Sequence, residues 1–138
     1  MTHSDFVLRV VVAAALGVEA FIHLRLAPGY QQSASGGIGA GNLFRIQALV
    51  AIVVGVWVLT RGSRAAYAAA LVTALSAVGA VLLYRYVDVP AIGPIPAMYE
   101  PVWFFQKSLS AFAAGLAALV AAIALARGGA QVGRGSSG

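Results

Sequence analysis

Four long apolar runs, separated by short polar breaks, make up most of the chain. A helix needs about 20 mostly apolar residues to cross a hydrocarbon core roughly 30 Å thick. The runs predict spanning helices over residues 5–26, 41–60, 65–87 and 100–126. Ser4 or Asp5 suits the first N-cap. Ala27-Pro28-Gly29 is a proline–glycine breaker, so residues 27–40 read as a loop rich in Gln, Ser and Gly. Arg61-Gly62-Ser63-Arg64 reads as a tight basic turn. The stretch Asp88–Glu100 carries Pro90, Pro94 and Pro96 and cannot be helical throughout. Pro101 suits a first helical turn, and Arg127-Gly128-Gly129 reads as the fourth helix's stop. The expected fold is all-α, an integral membrane four-helix bundle over residues 1–127. Residues 128–138 form a Gly/Ser-rich tail expected to be disordered, and its final Gly-Ser-Ser-Gly reads as an appended linker.

Composition strengthens the membrane reading. The 138 residues are 61% hydrophobic and 9% charged, where a soluble domain carries about 25% charged residues. A chain this short could not hide so much apolar surface in one core. The first apolar run continues past the length of a signal-peptide core without a small-residue cleavage site, so it reads as a retained span. The net charge is +5, but the basic residues are scattered over the spans and do not form a nucleic-acid footprint. They read as topology signals and contacts to anionic membrane lipids. Cysteine is absent from the sequence, which excludes disulfides, thiolate metal sites and CxxC redox chemistry. The Ala/Val/Gly/Arg-rich vocabulary suggests a bacterial gene and hence the bacterial cytoplasmic (inner) membrane.

Four spans put both termini on one side. Arg9, Arg61, Arg64, Arg127 and Arg134 collect there, against Arg25, Arg45, Arg85 and Lys107 on the other side. Arg61 and Arg64 sit in a short loop, where the positive-inside rule acts most strongly. The multi-pass chain is therefore expected to have both termini in the cytoplasm. Ala111, Gly115, Ala118 and Ala122 recur at about one-turn spacing in the fourth span. In lipid, such small residues let helices approach closely, either within one bundle or in a homo-oligomer.

Most of the remaining ionisable residues gather at the end away from the termini. Glu19 and His23 lie four residues apart, on one face of the first helix. A charged group at the centre of a spanning helix costs roughly 2.5–3.5 kcal/mol on insertion scales, so Glu19 needs a partner, neutralisation or water. Arg45 or Lys107 could pair with it, and Gln47 could add an amide. The ligand-binding or proton-carrying candidates are Glu19, His23, Arg45, Gln47, Arg85, Glu100 and Lys107. For Arg25, Arg45 and Arg85 taken singly, snorkelling to headgroups is ordinary behaviour. One histidine and one glutamate make half of a metal-binding set, so haem or metal is not expected. Tyr99, Trp103 and Phe104 suit an interfacial aromatic belt or a lid over the cluster. The glycine run Gly36-Gly37-Ile38-Gly39-Ala40-Gly41 lacks the GK[ST] ending of a phosphate loop and follows no strand, so it reads as a flexible loop.

The chain resembles the DoxX-like group of small four-span bacterial membrane proteins. The resemblance rests on the polar end of the first span (GVEAFIHLRLAP), the glycines before the second (GGIGAGNLFRIQA) and the short basic turn before the third. It implies a compact four-helix bundle, in some members linked to quinone or thiol redox systems and in many of unknown activity. Without cysteine, thiol chemistry would belong to a partner. Three functions follow as expectations. The first is a ligand-binding or accessory subunit with an outward-facing polar pocket for a lipid, quinone or small anion. The others are an oligomeric proton-coupled transporter or channel using Glu19, and a scaffold of a larger membrane complex. An enzyme acting alone ranks last, because no complete catalytic constellation is visible.

Overall fold

The structure, a computed structural model, describes residues 3–34, 36–88, 90–97 and 105–136. It contains four helices in series: α1 (His3–Ser33), α2 (Ala40–Arg61), α3 (Arg64–Tyr86) and α4 (Phe105–Ser136). All four are long and apolar enough to cross a membrane, over Asp5–Gln32, Ala40–Arg61, Arg64–Tyr86 and Phe105–Arg127. Helix α1 packs on α2 and α4, and α3 packs on α4 and α2, so the four form a closed square in cross-section.

The packing is inverted in size relative to a soluble protein. The centre is mostly alanine: Ala15, Ala48, Ala51, Ala66, Ala70, Ala74, Ala117 and Ala121 are all buried, around a few larger residues such as Val12, Leu16 and Val58. The large residues face outward, among them Leu49, Val53, Val72, Leu75, Phe112 and Leu119. Small side chains allow close backbone approach, and dispersion rather than water exclusion holds such helices together. Only a hydrocarbon solvent tolerates the resulting apolar exterior. The buried seam of α4 runs through Ala113, Ala114, Ala117, Ala118, Ala121 and Ala124. Of the stripe expected from sequence, Ala118 joins this seam, Ala111 and Gly115 are half-buried, and Ala122 faces outward.

Helix α1 departs from its expected boundary. It runs through Pro28 to Ser33 instead of stopping near Leu26. Proline removes one backbone donor and crowds the preceding turn, but spanning helices tolerate it where neighbours hold the segment. Here Ala27 is buried against Gly41 of α2, and a Cβ on Gly41 would overlap the Ala27 carbonyl oxygen. The whole helix is about 46 Å long at 1.5 Å per residue, so its last turns reach beyond a hydrocarbon core of roughly 30 Å. Helix α4 likewise continues past Gly128-Gly129 to Ser136, while its apolar part ends at Arg127. Glycine after a helix is a preference, not a barrier, when no proline follows.

The first two connections are short and specifically capped. Gly62, at φ +55°, ends α2 in the left-handed conformation, and the Ser63 hydroxyl accepts from the Ala66 amide to start α3. Arg9 donates to the Leu59 and Arg61 carbonyls, which stabilises the same end of α2. Helix α2 begins after Gly39, which has no side chain to cap it. Gln31 of α1 supplies the cap: its Oε1 accepts from the Asn42 amide at 3.0 Å. The glycine-rich segment is thus a packed turn that ends in the buried Ala40 and Gly41. The Ile38 amide also donates to the Pro94 carbonyl at 2.8 Å, tying this turn to the α3–α4 connection. There, Ile92 and Ile95 exchange two backbone hydrogen bonds around Gly93-Pro94. Gly93 has φ +57°, and proline fixes a negative φ at the next position. That pairing of signs is the one a type II′ turn needs.

Candidate functional site

At the end of the bundle away from the termini, the helices and the α3–α4 connection enclose a cavity of about 550 Å³. Each wall comes from a separate element. Helix α1 contributes Ile22, His23, Leu26 and Tyr30, and α2 contributes Leu43, Phe44 and Gln47. Helix α3 contributes Ser76, Ala77, Ala80, Val81 and Tyr84, spaced so that all lie along one side of the helix. Lys107 and Ser110, three apart on α4, are both buried and close the fourth wall. Ile95 and Ala97 cover it from the loop, which is anchored by the buried Pro96.

Beneath the cavity lies a polar chain across three helices. Glu19 is 0% exposed, and its Oε1 accepts from Gln47 Nε2 at 2.7 Å. The same Nε2 approaches the Thr73 carbonyl at 3.3 Å, so the Gln47 amide nitrogen faces two acceptors. Glu19 Oε2 has no hydrogen-bond partner among the described residues. His23 Nδ1 lies 2.8 Å from the Glu19 carbonyl oxygen, one turn back on the same helix. The ring also meets Phe44 at a centroid distance of 5.0 Å, and Phe44 meets Tyr30 at 4.4 Å. An aromatic wall therefore runs up the α1–α2 side and holds the imidazole between Phe44 and its own helix.

The structure sorts the expected cluster. His23, Gln47 and Lys107 line the cavity, and Glu19 sits directly behind Gln47. Arg45 does not join them. It is exposed and donates to Asn42 Oδ1 at 2.8 Å, because its place on α2 turns it away from Glu19. Arg85 also leaves the cavity. Its guanidinium lies over the Tyr86 ring at 4.9 Å, and its Nε is buried without a partner among the described residues. Arg25 lies over Phe21 at 5.8 Å on the outer face of α1. Resting a guanidinium on an aromatic face suits basic residues near the membrane interface. Glu100, Tyr99, Trp103 and Phe104 lie outside the described residues.

Several lining residues carry little signal in the sequence. Tyr30 follows the proline–glycine pair, which places it in a loop on sequence grounds. Phe44, Ser76, Tyr84 and Ser110 carry no charge and look like ordinary helix residues. A usable signal exists for two of them, since Ser76 and Tyr84 share a face with Ala80 at four-residue spacing.

Comparison of the chain with protein-family models, with curated proteins and with solved structures gives no match. The fold and exterior define a small multi-pass membrane protein, and its function must be read from the cavity itself.

Proposed function

We propose that the protein binds a small amphiphile from the bilayer, a lipid or quinone-type molecule, in the cavity between its helices. The observation that carries this reading is the cavity's composition: a mostly apolar lining that also presents His23, Gln47, Lys107 and Ser110. Its volume of about 550 Å³ falls in the range of ligand sites, roughly 300–1,000 Å³. Its access route favours a ligand that arrives through lipid. Of the adjacent helix pairs, α2 and α3 touch least. The last buried residue of α3 is Ala77, and Ser76 and Ala80 line the cavity while remaining exposed. An apolar tail can leave through that gap while the head stays against His23, Gln47 and Lys107. The quinone association implied by a DoxX-like resemblance falls within this ligand class.

Ala80→Trp tests the reading, because it fills the mouth from an exposed position without disturbing the alanine core. Native mass spectrometry of protein released in mild detergent should show a co-purified lipid or quinone. Its occupancy should fall at least about fivefold in the variant, the scale expected when a ligand of this size loses about 1 kcal/mol. Equal occupancy in both proteins would remove the cavity from the binding event.

On the same reading both termini lie in the cytoplasm and the cavity end lies outside, on the strength of Arg61 and Arg64 in the short turn. The cysteine-free sequence makes this easy to check. In intact cells, a membrane-impermeant maleimide should label Ala91→Cys and spare Ser63→Cys until the membrane is permeabilised. The reverse pattern would invert the topology.

A further inference from the structure

The hydrogen-bonding groups at the inner end of the cavity are fixed in direction, and that direction specifies the ligand's head. The Gln47 amide nitrogen faces two acceptors, Glu19 Oε1 at 2.7 Å and the Thr73 carbonyl at 3.3 Å. A flip of the amide would set its oxygen against both of those oxygens, so the orientation is determined by the network. Gln47 Oε1 is left as the atom that a ligand can meet, and no bond among the described residues occupies it. The His23 tautomer follows in the same way. A backbone carbonyl can only accept, so Nδ1 must carry the hydrogen that bonds the Glu19 carbonyl at 2.8 Å. The neutral imidazole then offers Nε2 as an acceptor. Two acceptors, from α1 and α2, thus line one side of the cavity, whereas the Lys107 ammonium opposite has donors alone.

We infer that the cavity selects an amphiphile whose head is a hydroxyl, an alcohol or phenol that donates to His23 Nε2 or Gln47 Oε1. This rests on the amphiphile-binding reading above. A hydroxyl donates once and accepts twice, so it can also take a hydrogen bond from the Lys107 and Ser110 side of the cavity. A ketone, ester or oxidised quinone has only acceptors and leaves both lone pairs facing it unsatisfied. A carboxylate or phosphate could meet Lys107 but, having no hydrogen to donate, leaves the same two lone pairs unsatisfied.

The test uses the full-length protein in lipid nanodiscs and two probes of equal length, a secondary fatty alcohol and the corresponding methyl ketone. Titration should show the alcohol binding about tenfold more tightly, the scale of leaving a buried acceptor unpaired. His23→Phe keeps the aromatic contact with Phe44 and should cut that preference to about threefold or less. Glu19→Leu/Gln47→Leu removes the amide together with its buried partner, and should do the same. Equal affinity for alcohol and ketone in the unmodified protein would overturn the hydroxyl assignment and leave amphiphile binding intact. Binding of neither probe would overturn both.

Discussion

Replacing Gln47 with leucine is expected to destabilise the bundle by roughly 1–3 kcal/mol, the cost of leaving a buried acceptor without its hydrogen-bond donor. Glu19 is fully buried, and Gln47 provides its hydrogen bond; Oε2 has none among the described residues. The Gln47→Leu variant therefore leaves both carboxyl oxygens without a described donor. Glu19→Leu should cost less, because Gln47 keeps its contact with the Thr73 carbonyl and faces the cavity. The double variant should recover most of the loss, since replacing both partners by apolar groups is often close to neutral. Arg45→Gln should change stability by no more than about 0.5 kcal/mol, as exposed substitutions usually do. Unfolding midpoints of the four variants in one detergent would provide the cycle. Additive effects of the two leucines would show that Glu19 and Gln47 are not coupled. A large loss in Arg45→Gln would restore the ion pair that the sequence makes plausible.

Two glycine-to-alanine changes should have opposite signs. Alanine is the better helix former by about 1 kcal/mol, so propensity favours both. A methyl group added at Gly79 on α3 would meet nothing within 4 Å, and Gly79→Ala should raise the midpoint. Gly41 on α2 is different, because its added methyl would overlap the Ala27 carbonyl and the Gln31 side chain. Both belong to α1 close to its backbone, and Gln31 also caps α2 through Asn42. Parting the two helices costs about 1–3 kcal/mol as overpacking, and the lost cap adds to it. Gly41→Ala should accordingly lower the midpoint despite its propensity. A rise in both variants would mean that α1 and α2 are not in close contact at that level.

The consequences for the cavity differ as well. Gly41 holds the α1 extension against the start of α2, and Tyr30 and Phe44 stack across that junction. The Gly41 variant should therefore weaken ligand binding along with stability, whereas the Gly79 variant should leave binding unchanged.

The sequence by itself determined the class of solvent, the number of spans and the end at which polar groups collect. Those properties follow from local chemistry: the length of each apolar run, the breaks at Gly62-Ser63 and Pro90–Pro96, and the spacing of Glu19 and His23. It could also narrow the partners of Glu19 to a few residues, with Gln47 among them. Which one meets the carboxyl depended on how α2 is rotated, and in lipid that rotation is set by small-residue packing rather than by a strong amphipathic face. Arg45 and Gln47 are two residues apart, so the rotation of α2 decides which of them faces α1. The fate of Pro28 was undecided for a related reason, since a proline's local penalty can be outweighed by contacts such as Ala27 against Gly41. Only the tertiary structure brought Tyr30, Phe44, Ser76, Tyr84 and Ser110 around one cavity, because uncharged residues on four separate helices carry no signal of their common enclosure.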